Sequence, residues 1–455
     1  MKKKLLSILL AGVMLIMMAG CGVKNNNNKE ETKSSAEAEQ PAEPSKADTE
    51  EVSAVDGGSK VINIWGWETY EQQKEEFERF EELTGIKVEM TMVESKDMPV
   101  RIQTALASGA DMPDIVWIEM GVRGKMLALD CWEVLTDAPY NMDTSLLFDS
   151  MIPLGTNEKG EFVGLDDGPS MAGLAYKRDL AKEYFGTDDP AELEQMFTDW
   201  NVFIEKGKEV KEKSGGSVYM LPSLNDAMTI LKGQSNIPFA EGDILQLDES
   251  LGGSFDILIQ MKDSGIVDTM EMNSPSYYAS IAEKNHIFLP CAYWGPRWVI
   301  DMNDPENKNS WGLMVPPEGG YGYGGTCWSI PKTAKNKEGA WELLSWLYLS
   351  KEGGEIRRDA YNYTVPLKEL YDGEFYSAEN PHFAGQDTLK YFTSVIAPSV
   401  TASRQVYKYD SEISDAISLA VTTLNAAEPG EMAKEDLVKI VEDDVLSKVP
   451  ALSTK

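Results

Sequence analysis

Tryptophan and carboxylate side chains follow three predicted strands of the chain. The segments are Trp65-Gly66-Trp67-Glu68, Glu94-Ser95 and Trp117-Ile118-Glu119-Met120. In an open parallel sheet, ligands bind beyond the carboxyl ends of the strands, so these side chains are expected to face one crevice. An aromatic ring packs against the C–H face of a sugar, and carboxylates accept hydrogen bonds from its hydroxyls. The pattern therefore predicts a binding site for a neutral polyol.

Trp65 and Trp117 have a second interpretation, because both lie inside predicted strands. A tryptophan within a strand can instead fill the hydrophobic core, and both interpretations stay open for this pair. Trp67 and Glu68 lie past the end of the strand, which makes them the better candidates for contact with a ligand.

A second aromatic cluster follows the strand predicted at 286–289, with the sequence Tyr293-Trp294-Gly295-Pro296-Arg297-Trp298. A Gly-Pro pair turns the backbone and separates the flanking rings, so the segment favours a binding wall over a packed strand. Trp298 could still pack in the core. Arg297 could donate paired hydrogen bonds to two hydroxyls or to a ligand carboxylate, or it could pair with one of the abundant acidic residues.

Sequence motifs for cofactors and metals are missing. The segment 320–325 contains GxGxxG, but it precedes the strand predicted at 326–330 instead of opening a helix, so it predicts a crossover or a loop at the cleft. The sequence has no Walker A motif, nucleophile elbow, CxxC or calcium loop. His286 and His382 are the only histidines, which excludes an HExxH helix or a histidine-rich zinc site. We expect no cofactor and no metal.

Paired carboxylates offer one enzymatic alternative. Glycoside hydrolysis needs two carboxyl groups about 5–10 Å apart. Asp166 and Asp167 form a poor pair, because adjacent side chains on an extended segment point in opposite directions. A secreted glycosidase that uses Glu119 with Asp166 is the enzyme hypothesis that remains, and we expect a binding protein instead of an enzyme.

The charge of the chain excludes one class of partner. Its 455 residues include 42 Lys and Arg against 75 Asp and Glu, a formal net charge of −33. A nucleic-acid binder needs a basic surface that neutralises phosphates, so nucleic acid is excluded and polyanionic ligands are disfavoured.

The N-terminus predicts export and lipid attachment. Three lysines at 2–4 precede an apolar run at 5–19, which is typical of a signal peptide. A membrane-spanning helix is the alternative. Met18-Ala19-Gly20-Cys21 resembles a bacterial lipobox, which implies cleavage after residue 20, diacylglycerylation of Cys21 and a protein anchored at the extracellular face of the membrane. Residues 22–59 hold few apolar side chains and predict a disordered tether.

The other three cysteines are Cys131, Cys291 and Cys327, so at most one disulfide can form among them. We expect buried free thiols that pack as small hydrophobic side chains.

Residues 60–455 predict a large α/β protein. Strands at 61–65, 86–92 and 114–118 alternate with helices at 71–83 and 98–108, an order that favours a parallel sheet covered by helices. The length favours two lobes. Further helices are predicted at 193–213, 255–262, 339–350 and 412–424, and further strands at 286–289, 311–315 and 326–330.

The order of several segments resembles the family 1 extracellular solute-binding proteins, the lipoprotein receptors of ABC sugar importers related to maltose-binding protein. Lys177 stands where the family usually has Asn. The matching segments are Trp65-Gly66-Trp67, Ala107-Ser-Gly-Ala-Asp-Met-Pro-Asp-Ile-Val116, Phe162-Val-Gly-Leu-Asp166, Leu174-Ala-Tyr-Lys-Arg-Asp-Leu180, Trp294-Gly-Pro-Arg-Trp298, Gly325 to Pro331 and Lys335-Asn-Lys-Glu-Gly-Ala-Trp-Glu-Leu-Leu344.

The resemblance implies a periplasmic-binding-protein-like fold, in which two α/β lobes close like a hinge on a ligand. It implies lobe one at 60–166 plus 325–366, and lobe two at 167–324 plus 367–455. It also implies that the cleft is lined by Trp67, Glu68, Glu119, Asp166, Trp294, Trp298, Trp328 and Tyr407.

The function implied is that of a monomeric receptor that binds a carbohydrate, with the abundant aromatics favouring an oligosaccharide, and delivers it to membrane permease subunits. The alternative keeps the fold and changes the ligand to a cationic or amino-acid-like solute. Glu68, Glu94 and Glu119 would then supply counter-charges, and the tryptophans would supply cation–π contacts.

Overall fold

The computed structural model describes residues 60–67, 71–400 and 403–454. The predicted signal peptide, the lipid-attachment residue Cys21, the tether and Glu68 lie outside the described residues. Within them, no helix has both the length and the apolar character that crossing a bilayer requires.

The described residues form eleven strands and seventeen α-helices. The strands are β1 Val61–Gly66, β2 Lys87–Met92, β3 Ile115–Glu119, β4 Leu165–Asp166, β5 Met171–Lys177, β6 Ala240–Glu241, β7 Ile244–Leu245, β8 Phe288–Ala292, β9 Trp311–Met314, β10 Tyr321–Gly322 and β11 Thr326–Ser329. The helices are α1 Glu71–Thr84, α2 Met98–Ser108, α3 Arg123–Leu127, α4 Ile152–Gly155, α5 Arg178–Phe185, α6 Pro190–Met196, α7 Trp200–Ser214, α8 Leu224–Gln234, α9 Leu247–Ser264, α10 Pro275–Ser280, α11 Asp301–Asn303, α12 Lys337–Tyr348, α13 Lys351–Tyr361, α14 Thr388–Tyr391, α15 Ala397–Ser399, α16 Asp410–Ala426 and α17 Lys434–Lys448.

The first sheet has the strand order β2-β1-β3-β11-β4. β1 pairs in parallel with both β2 and β3, which confirms the parallel arrangement predicted for the first three strands. β11 runs antiparallel to β3 and to β4, so the sheet as a whole is mixed. The start of β11 therefore lies at the same edge as the carboxyl ends of β1, β3 and β4.

The second sheet is built around β5, which pairs antiparallel with β8, β9 and β10. Every residue of β5 is buried, because helices cover both faces of this sheet. Leu174 and Tyr176 pack on one face with α7 and α9, and Ala175 packs on the other face with Trp311 and Phe392.

The first sheet is also covered on both faces. Ile62 and Ile64 of β1 pack with Phe80 of α1 and Leu343 of α12. The opposite face packs against α2 through Ile102, and these side chains are fully buried. Burial on both faces explains why the central strand β3 is a nearly continuous run of apolar residues, whereas the edge strand β2 alternates.

The core of the first sheet also holds Leu367, Leu370 and Tyr376, beyond the predicted end of lobe one at residue 366. The lobe boundaries as a whole stay a prediction.

One predicted helix is two helices in the structure. The pattern at 193–213 predicts a single helix, but α6 ends at Met196 and α7 begins at Trp200. The carboxylate of Asp199 accepts hydrogen bonds from the backbone N–H groups of Asn201 and Val202, which caps the start of α7. Asp is a strong N-cap residue, and here it overrides the continuous helical periodicity.

The three described cysteines are free and buried, as predicted. Burial raises the pKa of Cys131 and of Cys327 to about 12. These thiols therefore stay protonated at neutral pH and pack as hydrophobic groups.

Candidate functional site

A cavity of about 540 Å³ lies at the edge where β1, β3 and β4 end and β11 begins. We call it the aromatic cavity, because eight of its sixteen lining residues carry aromatic rings. The lining residues are Trp67, Gln73, Trp117, Glu119, Asp167, Tyr293, Trp294, Trp298, Met302, Gly324, Gly325, Thr326, Trp328, Arg357, Tyr361 and Tyr363.

One wall of the aromatic cavity is made of three tryptophans from the first sheet. Trp117 of β3 lies opposite Trp328 of β11 in the register of the sheet, and their ring centroids are 4.8 Å apart. Trp67 meets Trp117 edge to face at 5.5 Å. Trp117 and Trp328 are almost fully buried, so they support the half-buried Trp67, which offers the larger accessible surface.

The facing wall comes from the segment that follows β8. Trp294 and Trp298 both line the cavity, with Trp294 packed at 5.5 Å against the ring of Tyr323. The Gly-Pro pair between them opens a π-helical turn at Pro296–Ile300, where the sequence predicts a bend. Proline fits the first turn of a helix because it needs no hydrogen bond to its nitrogen.

The glycine-rich segment 320–325 contains the short strand β10 and ends in a loop at this cavity, which agrees with one of the two sequence interpretations. Gly324 and Gly325 line the cavity with φ angles of +70° and +112°, a region that side chains disfavour. A Cβ atom at Gly325 would lie 2.2 Å from Oγ of Ser170, and one at Gly324 would lie 3.3 Å from Nε1 of Trp294. A side chain at Gly325 would therefore require Ser170 to move, whereas one at Gly324 would be a tight contact with Trp294.

Asp167 and Arg357 form the ionic centre of the aromatic cavity. Nη2 of Arg357 lies 3.8 Å from Oδ2 of Asp167. The hydroxyl of Tyr293 donates to Oδ1 of Asp167 at 3.3 Å, and the backbone N–H of Thr326 donates to the same oxygen at 3.4 Å. Burial raises the pKa of Asp167 to about 6, although the guanidinium opposes this rise.

Arg357 is held in place from behind the cavity. Its Nη1 donates to Oε2 of Glu76 at 3.4 Å. Its guanidinium lies 4.9 Å from the ring centroid of Tyr361 and 5.8 Å from that of Tyr363. Burial raises the pKa of the Glu76 carboxyl above its ordinary value, while the charge of Arg357 lowers it. The rings and carboxylates together orient a buried cation towards the cavity.

Asp166 has a different environment from Asp167. Its carboxylate binds the guanidinium of Arg123 through two hydrogen bonds, of 2.8 Å and 2.6 Å, and both side chains are buried. Asp166 is not one of the sixteen lining residues. As predicted, the two adjacent aspartates point towards different partners.

Glu119 lines the aromatic cavity at the end of β3. Its Oε2 accepts a hydrogen bond of 2.7 Å from the backbone N–H of Gly121. Glu94, which the alternative ligand class would use, is exposed and lies before a 3₁₀ turn outside the lining.

Three other predicted site residues lie away from the aromatic cavity. Trp65 stacks under Arg101, with 4.3 Å from the guanidinium carbon to the ring centroid. Arg297 lies in a polar cavity of about 450 Å³. The hydroxyl of Tyr407 donates to the carbonyl oxygen of Gly242 at 2.9 Å.

Several lining residues are missing from the sequence-based candidates, notably Gln73, Met302, Arg357, Tyr361 and Tyr363. The Tyr-Asn-Tyr sequence at 361–363 could have indicated a wall, since it follows the helix that ends at Tyr361. No sequence pattern indicated Arg357, because it lies in a helix rich in charged residues, which is typical of a solvent-exposed helix.

The described residues hold no group of three or more His, Cys, Asp or Glu side chains arranged to bind a metal ion. The aromatic cavity offers aromatic faces, one ion pair and a few hydrogen-bonding groups. Such a set can bind and orient a polar molecule that has apolar faces.

Comparisons with known proteins agree on fold and family. A family model described as bacterial extracellular solute-binding protein matches residues 76–385. A comparison with curated protein sequences gave no significant match.

Solved structures give the fold. A crystal structure of a family 1 extracellular solute-binding protein is 20% identical, covers 85% of this chain and 99% of its own, and has a TM-score of 0.75. The galacto-N-biose/lacto-N-biose I-binding protein of an ABC transporter from Bifidobacterium longum is 16% identical, with coverages of 88% and 100% and a TM-score of 0.67. The sugar-binding protein MalE of Xanthomonas citri is 17% identical, with coverages of 85% and 98% and a TM-score of 0.65.

These likenesses confirm the predicted two-lobe, periplasmic-binding-protein-like fold. The family model matches well over half of the chain, from the middle of α1 to the segment before α14. With this fold and this match, the chain belongs to the bacterial extracellular solute-binding protein family.

Proposed function

We propose that the aromatic cavity binds a carbohydrate, and that the protein delivers this carbohydrate unchanged to the permease subunits of an ABC importer. The observation that carries the proposal is the pair of aromatic walls, Trp67 with Trp117 and Trp328 on one side and Trp294 with Trp298 on the other. Aromatic faces bind the C–H faces of sugar rings, and a cavity of this size suits a small organic ligand.

The polar groups of the cavity match a neutral ligand. Asp167 and Arg357 offset each other in charge, which leaves Glu119 as the further charged side chain in the described lining. Carboxylates, an amide and a guanidinium can each form hydrogen bonds with hydroxyl groups. The large number of rings favours an oligosaccharide, since each ring can stack on one sugar unit.

The ligands of two similar proteins support the carbohydrate class. The Bifidobacterium longum protein was solved in complex with lacto-N-biose, and a binding protein from B. animalis subsp. lactis was solved in complex with beta-1,6-galactobiose. Both are binding proteins of ABC transporters.

Attachment to the cell surface is part of the proposal and depends on the sequence. In this proposal, residues 1–20 are a signal peptide and the lipobox-like segment Met18-Ala19-Gly20-Cys21 makes Cys21 the lipid-bearing residue on the extracellular face of the membrane. Two acyl chains would hold a strongly acidic protein that anionic lipid headgroups repel. Mass spectrometry of the membrane-bound protein tests this step, since a chain that begins at residue 1 or lacks acyl groups contradicts it.

A thermal shift assay of the purified protein tests the ligand class. The panel contains mono- and oligosaccharides, polyamines and amino acids. A ligand at 100 times its dissociation constant should stabilise the protein by about 2.7 kcal/mol, which raises the melting temperature by a few degrees. Stabilisation by sugars alone supports the proposal, whereas stabilisation confined to polyamines or amino acids supports the cationic or amino-acid-like alternative.

Two tryptophan variants locate the site. Trp294→Ala should weaken sugar binding by about tenfold or more, because the ring is a wall of the cavity. Trp341→Ala is the control, since Trp341 is also half-buried but packs against Tyr140 outside the aromatic cavity. Equal loss of affinity in both variants would contradict the proposed location.

Recovery of the bound sugar tests the enzymatic alternative. A glycosidase acting through Glu119 and Asp166 would release shortened products, and Glu119→Gln would abolish their release. We expect the sugar to be recovered intact, because the bidentate pair with Arg123 already occupies the Asp166 carboxylate.

A further inference from the structure

A second cavity, of about 170 Å³, lies beside the aromatic cavity and shares Gly324 with it. We call it the basic cavity, because Lys232 and Arg404 both line it. Its other polar side chains include the hydroxyls of Ser235, Ser403 and Ser414. Neither the family match nor the proposed carbohydrate site accounts for these two cations.

Lys232 is a half-buried cation that lines the basic cavity. It lies in the last turn of α8, and its ammonium makes no hydrogen bond or ion pair with any residue that the structure describes. Burial lowers the pKa of Lys232 and the charge of Arg404 lowers it further, while the charge of Asp410 opposes both. A cation that lines a cavity without a close ion pair among the described residues can bind an anion that enters the cavity.

Arg404 is held rigidly in the same cavity. Its Nε donates to the carbonyl oxygen of Ile237 at 2.6 Å, and Nη2 lies 3.4 Å from the carbonyl oxygen of Ser235. The guanidinium carbon lies 3.7 Å from the ring centroid of Phe239. These contacts leave Nη1 without a hydrogen bond to any described side chain or carbonyl group. A fixed guanidinium loses little entropy when it binds an anion.

Asp410 is the carboxylate that lines the basic cavity within the described part of the chain. Its Oδ2 accepts a hydrogen bond of 2.8 Å from the backbone N–H of Tyr407. No ion pair within 4.0 Å joins it to Lys232 or Arg404 among the described residues. Two cations and one carboxylate give the basic cavity an excess of positive charge in a chain whose net charge is −33.

We infer that the basic cavity binds one oxyanion, a carboxylate, sulfate or phosphate group, between the ammonium of Lys232 and the guanidinium of Arg404. The anion has two sources with the same chemistry. It is an acidic substituent of the carbohydrate in the aromatic cavity, or it is a free anion. The first source depends on the proposed carbohydrate function, and the two cavities adjoin at Gly324, which lines both of them.

The negative charge of the whole chain is compatible with this site. Exposed charges farther away than about 8 Å are largely screened at physiological ionic strength. A single oxyanion inside the cavity therefore interacts mainly with Lys232, Arg404 and the nearby hydroxyls. A polyanion that extends over the surface would instead lie within this distance of many acidic side chains.

The first arm of the test uses free anions and the full chain without sugar. Melting temperatures are compared in sodium sulfate, sodium phosphate and sodium chloride at equal ionic strength. Lys232→Met removes the charge and keeps the length of the side chain, Lys232→Arg keeps the charge, and Lys439→Met is an exposed control. Sulfate and phosphate also stabilise proteins in general, because they are excluded from the protein surface. Only the part of the rise in melting temperature that is lost in Lys232→Met is therefore evidence for anion binding at this site.

We expect sulfate or phosphate to raise the melting temperature of the wild type, Lys232→Arg and Lys439→Met proteins more than that of Lys232→Met. An equal rise in all four proteins overturns the free-anion source.

The second arm uses matched sugars that differ by one acidic group: galactose with galacturonate, glucose with glucuronate, and glucose with glucose 6-phosphate. Calorimetry should show that wild type binds an acidic member about tenfold or more tightly than its neutral partner, because hydrogen bonds to charged groups are strong. Lys232→Met should remove this preference and leave the affinity for the neutral sugar unchanged. Equal affinity within every pair overturns the substituent as the source.

The two arms separate this inference from the proposed function. If no sugar binds but stabilisation by sulfate or phosphate requires Lys232, the anion site is supported and the carbohydrate function is wrong. If neutral sugars bind, but Lys232→Met changes neither the stabilisation by free anions nor the preference for acidic sugars, the carbohydrate function is supported and the anion site is wrong.

Discussion

Two aspartates that are adjacent in the chain, Asp166 and Asp167, each pair with an arginine, but only the second pair lines the aromatic cavity. Arg123 binds Asp166 through two hydrogen bonds of 2.8 Å and 2.6 Å, and neither side chain reaches the aromatic cavity. Arg357 approaches Asp167 only to 3.8 Å, and both side chains line the cavity. In the first pair, both carboxylate oxygens accept hydrogen bonds from the arginine. In the second pair, the guanidinium and the carboxylate are too far apart for such a bond, so both can form hydrogen bonds with a ligand.

A single backbone segment links the two pairs. The carbonyl oxygen of Gly325 accepts a hydrogen bond of 3.0 Å from Nη2 of Arg123, and the next N–H, of Thr326, donates to Asp167 at 3.4 Å. The structural pair therefore positions the segment that supports the ligand-facing pair. The comparison teaches that burial and geometry, more than residue type, decide which ion pair stabilises the fold and which one faces a ligand.

The largest expected effect is on stability, from Arg123→Met. This change leaves the buried Asp166 carboxylate without its cation, which should lower the free energy of unfolding by about 3–5 kcal/mol in chemical denaturation. Arg79→Met is the control, because Arg79 is exposed and should contribute within about 0.5 kcal/mol. A loss below about 1 kcal/mol for Arg123→Met would show that the first pair is not structural.

The link between the pairs is tested by Gly325→Ala. The φ angle of +112° and the 2.2 Å approach to Ser170 should together cost about 1–3 kcal/mol of stability, and should also weaken sugar binding. Gly160→Ala is matched to it, because Gly160 has a φ of +79° and nothing within 4 Å of its added Cβ. If both variants lose the same stability, backbone strain alone explains the loss, and the close approach at Gly325 is unimportant.

The comparison predicts that replacing each aspartate by asparagine will affect different properties, sugar affinity for Asp167 and stability for Asp166. Asp167→Asn should weaken sugar binding by about tenfold, because a hydrogen bond to a charged group becomes a neutral one. Asp166→Asn should lower stability and leave the affinity of the folded protein unchanged. Calorimetry well below the melting temperatures of both variants measures the two affinities, and the opposite ranking would reverse the roles of the pairs.

The smallest expected effect is on the pH dependence of stability. Burial raises the pKa of Asp167 from 3.8 to about 6 in the folded protein. Between these values the folded state binds more protons than the unfolded state, so its contribution to stability is complete below about pH 4 and decreases as the pH rises through 6. The decrease is less than about 1.4 kcal/mol for each pH unit.

Asp167→Asn removes this titration, and denaturation at pH 4, 5 and 6 measures the difference from the wild type. Asp226 and Asp410 also have raised pKa values and are present in both proteins, so they cancel in the comparison. Parallel stability profiles for the two proteins would show that Asp167 does not titrate in this range.

Sequence patterns predicted the local elements well where one residue period dominated. The strict alternation at 86–92 and the apolar run at 61–65 correspond to β2 and β1. The helix predicted at 193–213 was wrong as a single element, because capping by Asp199 starts a new helix. The position of Trp67 past the end of β1 also followed from local geometry, since a strand end fixes where the next side chain lies.

The sequence by itself determined that Asp166 and Asp167 point in opposite directions, because adjacent side chains alternate on an extended chain. Only the tertiary structure decided which of them faces the aromatic cavity. Arg123 lies 43 positions from Asp166, and Arg357 lies 281 positions from its other partner, Glu76. These charges meet because α13 packs near α1 and α3 begins just after β3, and such long-range packing depends on the whole core instead of on any local period.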